Sequence, residues 1–285
     1  MKILSFGEII WDVYPDRRAL GGAPLNFAIH CAARGGEAFM VSAIGNDNLG
    51  NEALVAMEKN GVNTKYTFKN SLPTGRCDVT LDENKIPSYD LMKDTAYDFI
   101  RLSDKEIAEI EAARFDAICF GTLIQRSQTS RDTLRDLIQK TSFKTVFCDI
   151  NLRKDNYDKE SALFCLENAT VLKISLEEAP DLTALGIYPI PKAGSKLSLA
   201  DTLFESFDKL NTVLLTDGEH GAYSIDRGEE PIFCPAKKVT VVSTVGAGDS
   251  FGAAWLISRF SGDSAANALE NAVNYSADVI SGKYN

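Results

Sequence analysis

Residues 241–252 read VVSTVGAGDSFG and pass into an apolar stretch over 253–260. A β-branched run that feeds a Gly-Ala-Gly turn into a helix aims several backbone N–H groups, and the positive end of the helix dipole, at one point. That point is an anion site. Asp249 falls on the first helical turn beside it, where a carboxylate stays ionised and can take a proton from a hydroxyl held next to the anion. In this reading Asp249 is a general base, and the amides of Gly246, Ala247 and Gly248 stabilise charge on a transferring phosphoryl group. Taken alone, a Gly-x-Gly-Asp is more often a helix start with a capping aspartate. Gly246, Gly248 and Gly252 could also form a variant dinucleotide fingerprint, but that needs a following strand with an acidic end about 20 residues on. The sequence instead has a helical period over 265–280, and its Gly-Lys pair, Gly282-Lys283, is no P-loop.

Other reactive groups follow short apolar runs. Glu8 and Asp12 come after 3–6, Asp149 to Arg153 close 145–150, Ser175 to Glu178 follow 169–174, and Thr216 to Gly221 close 212–216. Further strand-like runs lie at 39–44 and 115–120. Between them, Ser103 with Glu106 forms a capping box, Ser127 opens an amphipathic segment to Lys140, and Ser175 precedes Glu177 and Glu178 in what reads as a helical first turn. Alternation at this spacing predicts an α/β fold with a mainly parallel sheet and helices on both faces. From 62 to 100 no helical period is found. Residues 75–81 and 86–92 alternate as strands around the polar turn Asp82 to Asn84, which predicts a small β element projecting from the main sheet.

Two motifs far apart carry a resemblance. Residues 243–252 resemble the C-terminal signature of the ribokinase-like (PfkB) carbohydrate kinases, written DT-x-GAGDxF. Gly21-Gly22-Ala23-Pro24-Leu25-Asn26-Phe27-Ala28, continuing through Gly35-Gly36 to Ile44-Gly45-Asn46-Asp47, resembles the N-terminal one. The resemblance covers nearly the whole chain. It implies a three-layer α/β/α sandwich as one domain over 1–285, with a β lid formed from about 13–20 and 62–100. It implies that Asp12 and Asn26 bind sugar hydroxyls, with Gly21 and Gly22 letting the backbone approach the ring. Lys173 to Glu178 is similar to the N-x-x-E element, with Ser175 at the Asn position and Glu178 organising Mg2+. Asp149-Ile150-Asn151-Leu152-Arg153 resembles a D-x-N-x-R element that places Arg153 near phosphate or carboxylate oxygens. Thr216, Gly218 and Gly221 match the nucleotide turn, and Thr244, Asn271 and Asn274 are assigned to ATP. Taken alone, Glu177-Glu178 would more often be a solvated helix start, and Arg153 a surface ion pair about as readily as a ligand.

The implied reaction is ATP-dependent phosphorylation of a sugar. Fructose stands first on GGAPLNFA, DINLR, the Ser-x-Glu-Glu element and the segment 88–100. The alternatives are 2-keto-3-deoxygluconate, then ribose or a nucleoside. A non-catalytic sugar binder or scaffold with the same fold is the alternative from another class, and a base at Asp249 argues against it. Ser243 stands where the signature normally opens with aspartate, in a region that helps build a K+ site in similar enzymes, so the resemblance leaves K+ activation open. The family also implies a homodimer through the lid.

Composition bounds the rest. The 285 residues carry 30 Lys and Arg against 40 Asp and Glu, a net charge of -10 with no clustered cations, which excludes nucleic acid and anionic membrane as bulk partners. Six cysteines lack any C-x-x-C pair, and several lie in apolar runs where a thiol behaves as a small hydrophobe. No long apolar span and no leader-like start are found, so the expectation is a reducing cytoplasm. His30 and His220 have no clustered acids or cysteines and read as structural.

Overall fold

The computed structural model describes residues 1–81, 87–187 and 197–283. In chain order its strands are β1 (Lys2–Phe6), β2 (Ile10–Val13), β3 (Arg18–Gly21), β4 (Glu37–Gly45), β5 (Asn63–Asn70), β6 (Gly75–Leu81), β7 (Pro87–Leu91), β8 (Ala117–Phe120), β9 (Thr145–Asp149), β10 (Val171–Ser175), β11 (Thr212–Thr216), β12 (Gly221–Asp226) and β13 (Ile232–Pro235). The helices are α1 (Ala23–Ala33), α2 (Asn48–Lys59), α3 (Asp104–Ala113), α4 (Gln128–Lys140), α5 (Lys159–Asn168), α6 (Ala179–Ala184), α7 (Ser198–Ser206), α8 (Ala247–Phe260) and α9 (Ala265–Ile280).

Nine strands form one sheet in the order β13-β12-β11-β10-β9-β8-β1-β4-β5. From β11 to β5 every neighbour pair is parallel, and β12 and β13 close one edge antiparallel. Successive residues of a strand point to opposite faces, and the central strands are apolar on both. Ile3 and Met40 therefore enter one core with Leu25 and Phe27 of α1, Met57 of α2, Trp255 of α8 and Leu269 of α9. Leu4 and Val41 enter the other, against Ile107 of α3, Leu134 of α4, Leu166 of α5 and Leu203 of α7. The expected three layers follow from that alternation.

The element expected as a lid is a separate four-stranded sheet in the order β3-β2-β6-β7. Its boundaries differ from the expected ones. The strand β5 pairs with β4 at the edge of the main sheet, so the second lid segment begins at Gly75 and not at 62, and the first begins at Ile10. NTKYTFKN alternates as an edge strand of either sheet would, and periodicity alone does not assign it. Residues 96–100 also leave the lid, because Ala96, Tyr97 and Ile100 are fully buried in the main core. The turn Asp82 to Asn84 lies outside the described residues. The Ser103 capping box and the α4 limits match expectation. The helix after β10 does not, since it starts at Ala179 with Glu178 as its N-cap residue. No described helix is long and apolar enough to cross a membrane.

Candidate active site

Parallel strands leave their C-terminal ends and the following helix N-termini along one edge, where α/β sheets bind ligands. The helix α8 begins there. Its N-cap, Gly246, has φ of 77°, a left-handed conformation costing roughly 1–2 kcal/mol for a residue with a side chain. The turn sets Ala247, Gly248 and Asp249 as the first helical residues. Asn26, on the first turn of α1, donates Nδ2–H to Asp249 Oδ2 at 2.8 Å, joining groups 223 residues apart in sequence. Burial first, and the Asp149 charge second, push the Asp249 carboxyl up to about 6, against the Asn26 hydrogen bond and the cations Lys173 and Arg153.

Under this turn lies a buried ion pair. Lys173 of β10 and Asp149 of β9 are register partners, and Lys173 Nζ donates to both Asp149 oxygens, at 2.9 and 2.8 Å. A Cβ on Gly248 would lie 2.8 Å from Lys173 Nζ, so a side chain there would have to push the ammonium aside from its place beneath the turn. Burial opposes the lysine's charge, but Asp149, Glu178 and Asp249 outweigh it and hold the ammonium above its ordinary value. The turn thus brings backbone amides, a helix N-terminus and a buried cation together, an arrangement that suits an anion.

The residues expected to bind sugar come from the four-stranded sheet and from the loop after β1 and the start of α1. Gly22 has φ of 111°, and a Cβ there would lie 2.3 Å from the Glu8 carbonyl oxygen. Asp12 Oδ2 lies 3.6 Å from where a Cβ of Gly21 would be, and burial raises the Asp12 carboxyl against the pull of Arg153. Arg153 is exposed, yet its charge reaches Glu8, Asp12, Cys77 and Asp249. Arg76, by contrast, is held by Asp78 at 2.7 Å. Asn26 is thus bonded to Asp249, which lines a pocket with Glu8 and Asp149, and the Arg153 charge acts on both Asp12 and Asp249.

This pocket sits on a chain that matches the pfkB family carbohydrate kinases over residues 4–284. The chain belongs to the PfkB family of carbohydrate kinases. It is a sugar kinase by family. It is 29% identical over 274 residues to the sugar kinase PH1459 of Pyrococcus horikoshii, covering 90% of this chain and 81% of that one. It is 26% identical over 285 residues to fructokinase-2 of Oryza sativa subsp. japonica, covering 92% of this chain and 81% of that one. The crystal structure of PH1459 in complex with ATP superposes with a TM-score of 0.80 at 25% identity, over 96% of this chain and 91% of that one.

The other side of the kinase cleft matches expectation unevenly. Glu178 accepts from Leu152 N–H at 2.7 Å and from Ser175 N–H at 2.8 Å, so both carboxylate oxygens are fixed by backbone and each keeps a free lone pair. Among the described residues no cluster of three His, Cys, Asp or Glu could hold a metal. A lone oriented carboxylate suits Mg2+, which keeps most of its waters and uses phosphate oxygens. The Thr216 carbonyl accepts from Leu176 N–H at 2.9 Å at the end of β11, Gly218 opens the next turn, and Gly221 begins β12. The Thr244 carbonyl accepts from Ala247 N–H at 3.2 Å, one step before the anion turn.

Asn271 is not brought to this cleft. Its Nδ2 donates to Ser258 Oγ at 2.9 Å and to Asp263 Oδ2 at 3.3 Å, near the far end of α8, about 16 Å along the helix from Ala247 at 1.5 Å per residue. The residue of α9 that reaches the anion turn is Ser276, which donates to the Ala247 carbonyl at 2.9 Å. Asn274 lies half-buried between the two. The sequence names Lys173, Asp149 and Glu8 within its motifs but assigns none of them a role. The legible signal was a charged residue inside an apolar strand, VLKIS, and an aspartate ending its neighbour, TVFCD. His30 is structural as expected, packed edge-on to Tyr275 with burial pushing its pKa down to about 4.

Proposed function

We propose that this kinase transfers the γ-phosphoryl group of ATP to a hydroxyl of a sugar, with fructose as the acceptor. The observation that carries this reading is the Asn26 to Asp249 hydrogen bond, which joins a sugar-side residue to a carboxyl at the mouth of a helix-terminal anion site. Asp12 and Asn26 orient the sugar. Asp249 accepts the proton of the attacking hydroxyl, whose oxygen bonds to the γ-phosphorus as the bond to the bridging oxygen breaks and ADP leaves. The Gly246 and Gly248 amides, with Lys173 below, stabilise the charge on the transferring group, whereas the Ala247 N–H, expected among them, is already given to the Thr244 carbonyl at 3.2 Å. Mg2+, when bound, would be held by Glu178 through water and would neutralise phosphate charge. Thr216, Gly218, Gly221 and Thr244 would line the nucleotide side. Holding the acceptor oxygen in line while the lid excludes water is what separates transfer from hydrolysis.

Fructose rests on the name of the rice relative together with the DINLR and GGAPLNFA elements. A second reading is favoured by one observation. Among the described residues the Arg153 guanidinium has no hydrogen bond or ion pair, yet its charge reaches Asp12, which suits an acidic acceptor such as 2-keto-3-deoxygluconate. The test is Mg2+-dependent ADP release with fructose, 2-keto-3-deoxygluconate, ribose, adenosine and no sugar, each with and without K+. Turnover confined to fructose supports the first reading, and turnover confined to the acidic sugar supports the second. No turnover with any acceptor, while ATP still raises the Tm, would favour a non-catalytic binder.

A further inference from the structure

Glu8 is a buried carboxyl in the active cleft to which no step above assigns a task. It lines the same pocket as Asp249 and Asp149 and is 3% exposed. Oε1 accepts from Ala23 N–H at 3.2 Å and the Glu8 backbone N–H also favours the ionised carboxyl, but no cation is paired with it at hydrogen-bond distance among the described residues. Asp249 is better provided for as an anion. It has the Asn26 donor, the α8 N-terminus and the Lys173 ammonium under Gly248. Asp149 is paired with Lys173, and the two remaining buried carboxyls of the pocket cannot both ionise cheaply, so the proton goes to the one with fewer partners for its charge.

We propose that Glu8 and Asp249 divide one proton unequally, Glu8 carrying it during turnover so that Asp249 alone is the anion facing the acceptor hydroxyl. Glu8 acts through Asp249 and is a positioning residue in this scheme. Its neutrality also keeps a second negative charge away from the phosphates. The inference rests on the proposed role of Asp249 as base.

The groups facing Glu8 agree with the assignment. From α8 comes the Asp249 charge, which raises Glu8, and from the loop after β9 comes Arg153, which lowers it. Arg153 is exposed, so its effect is screened by water and salt. From the turn Ala96–Phe99 comes the neutral Tyr97, and from β8 the neutral thiol of Cys119. From the turn Leu123–Arg126 comes Arg126, whose charge is balanced by Asp98 at 2.7 Å. Burial is the largest influence, and the carboxyl is pushed up to about 7.

The test has two arms. Carbon-13 labelling of glutamate carboxyls follows their titration by NMR in the protein without sugar or ATP. One glutamate should titrate near 7 and be missing from E8Q. In the second arm, kcat/KM of the wild type should fall on the alkaline side of about 7, while E8Q, which cannot ionise, should exceed it by about tenfold at pH 8. E8D, which can ionise, should restore the decline. All glutamates titrating below pH 5, or an E8Q alkaline limb that coincides with the wild type, would overturn the proposal. If no sugar is phosphorylated, the NMR arm still decides the proton's place, so the two readings fail separately. If E8Q does not fold, the wild-type titration alone supports or sinks the idea.

Discussion

At the scale of residues, the site depends on a few charges placed where water is scarce. With Asp249 raised to about 6, kcat/KM should fall about tenfold per pH unit below that value as the base takes up a proton. A profile flat down to pH 5 would remove Asp249 from that role. Asp249→Asn should lower turnover by about 10²–10⁴-fold or more while calorimetry finds ATP binding changed little. The Lys173 to Asp149 pair is buried on both sides, so Lys173→Met alone should destabilise by about 3–5 kcal/mol, because it strands a carboxylate. The double change with Asp149→Leu should recover much of that in urea unfolding. Asp249 and Asn26 were legible because each belongs to a dense motif with glycines at fixed offsets. Lys173 was not, because one lysine in an apolar strand states neither which neighbour it pairs with nor that a helix turn sits on top. That information is carried by strand register.

At the scale of elements, the glycine turns decide how closely backbones meet. Gly22 separates β3 from α1 at a φ that a side chain resists, with the Glu8 carbonyl in the way of any Cβ. Gly22→Ala should therefore cost more than the roughly 1–2 kcal/mol of the conformation alone and should raise KM for the sugar, since Asn26 N–H donates to the Gly22 carbonyl at 2.8 Å. Denaturant midpoints and sugar saturation curves check the two halves. Elements with end signals were readable. The capping box of α3, the apolar period of α9 and the β-branched core strands all lie where the sequence placed them. The strand β5 and the start of α6 were misread, since an alternating edge strand fits either sheet and a glutamate pair after a strand fits either a first turn or the residues before it. Asn271 was misplaced for a related reason, because the sequence does not say which stretch of α9 lies against the start of α8.

At the scale of the molecule, the raised carboxyls set the pH of greatest stability. Glu8 and Asp249 keep protons in the folded state up to about 7 and about 6, whereas the unfolded chain releases them near 4.5 and 3.8. Between those limits the unfolded chain binds fewer protons, so stability falls as pH rises. Asp47, Asp116 and Asp158 are depressed by their hydrogen bonds and ion pairs, and their contribution is lost as pH falls through their folded values. The Tm should therefore peak near pH 4–5, between the two groups' ranges, and a scan that peaks at pH 8 would contradict these shifts.

The burial of α8 carries one more consequence. Every residue over 250–258 is buried, whereas Arg18 and Ala19 at the lid's outer strand are exposed. Amide protons of α8 should exchange with solvent only when the whole chain unfolds, while those of β3 exchange through small local openings. Local opening of β3 would then leave the start of α8 in place, and on heating, activity should be lost at or before the temperature at which the α8 amides lose protection.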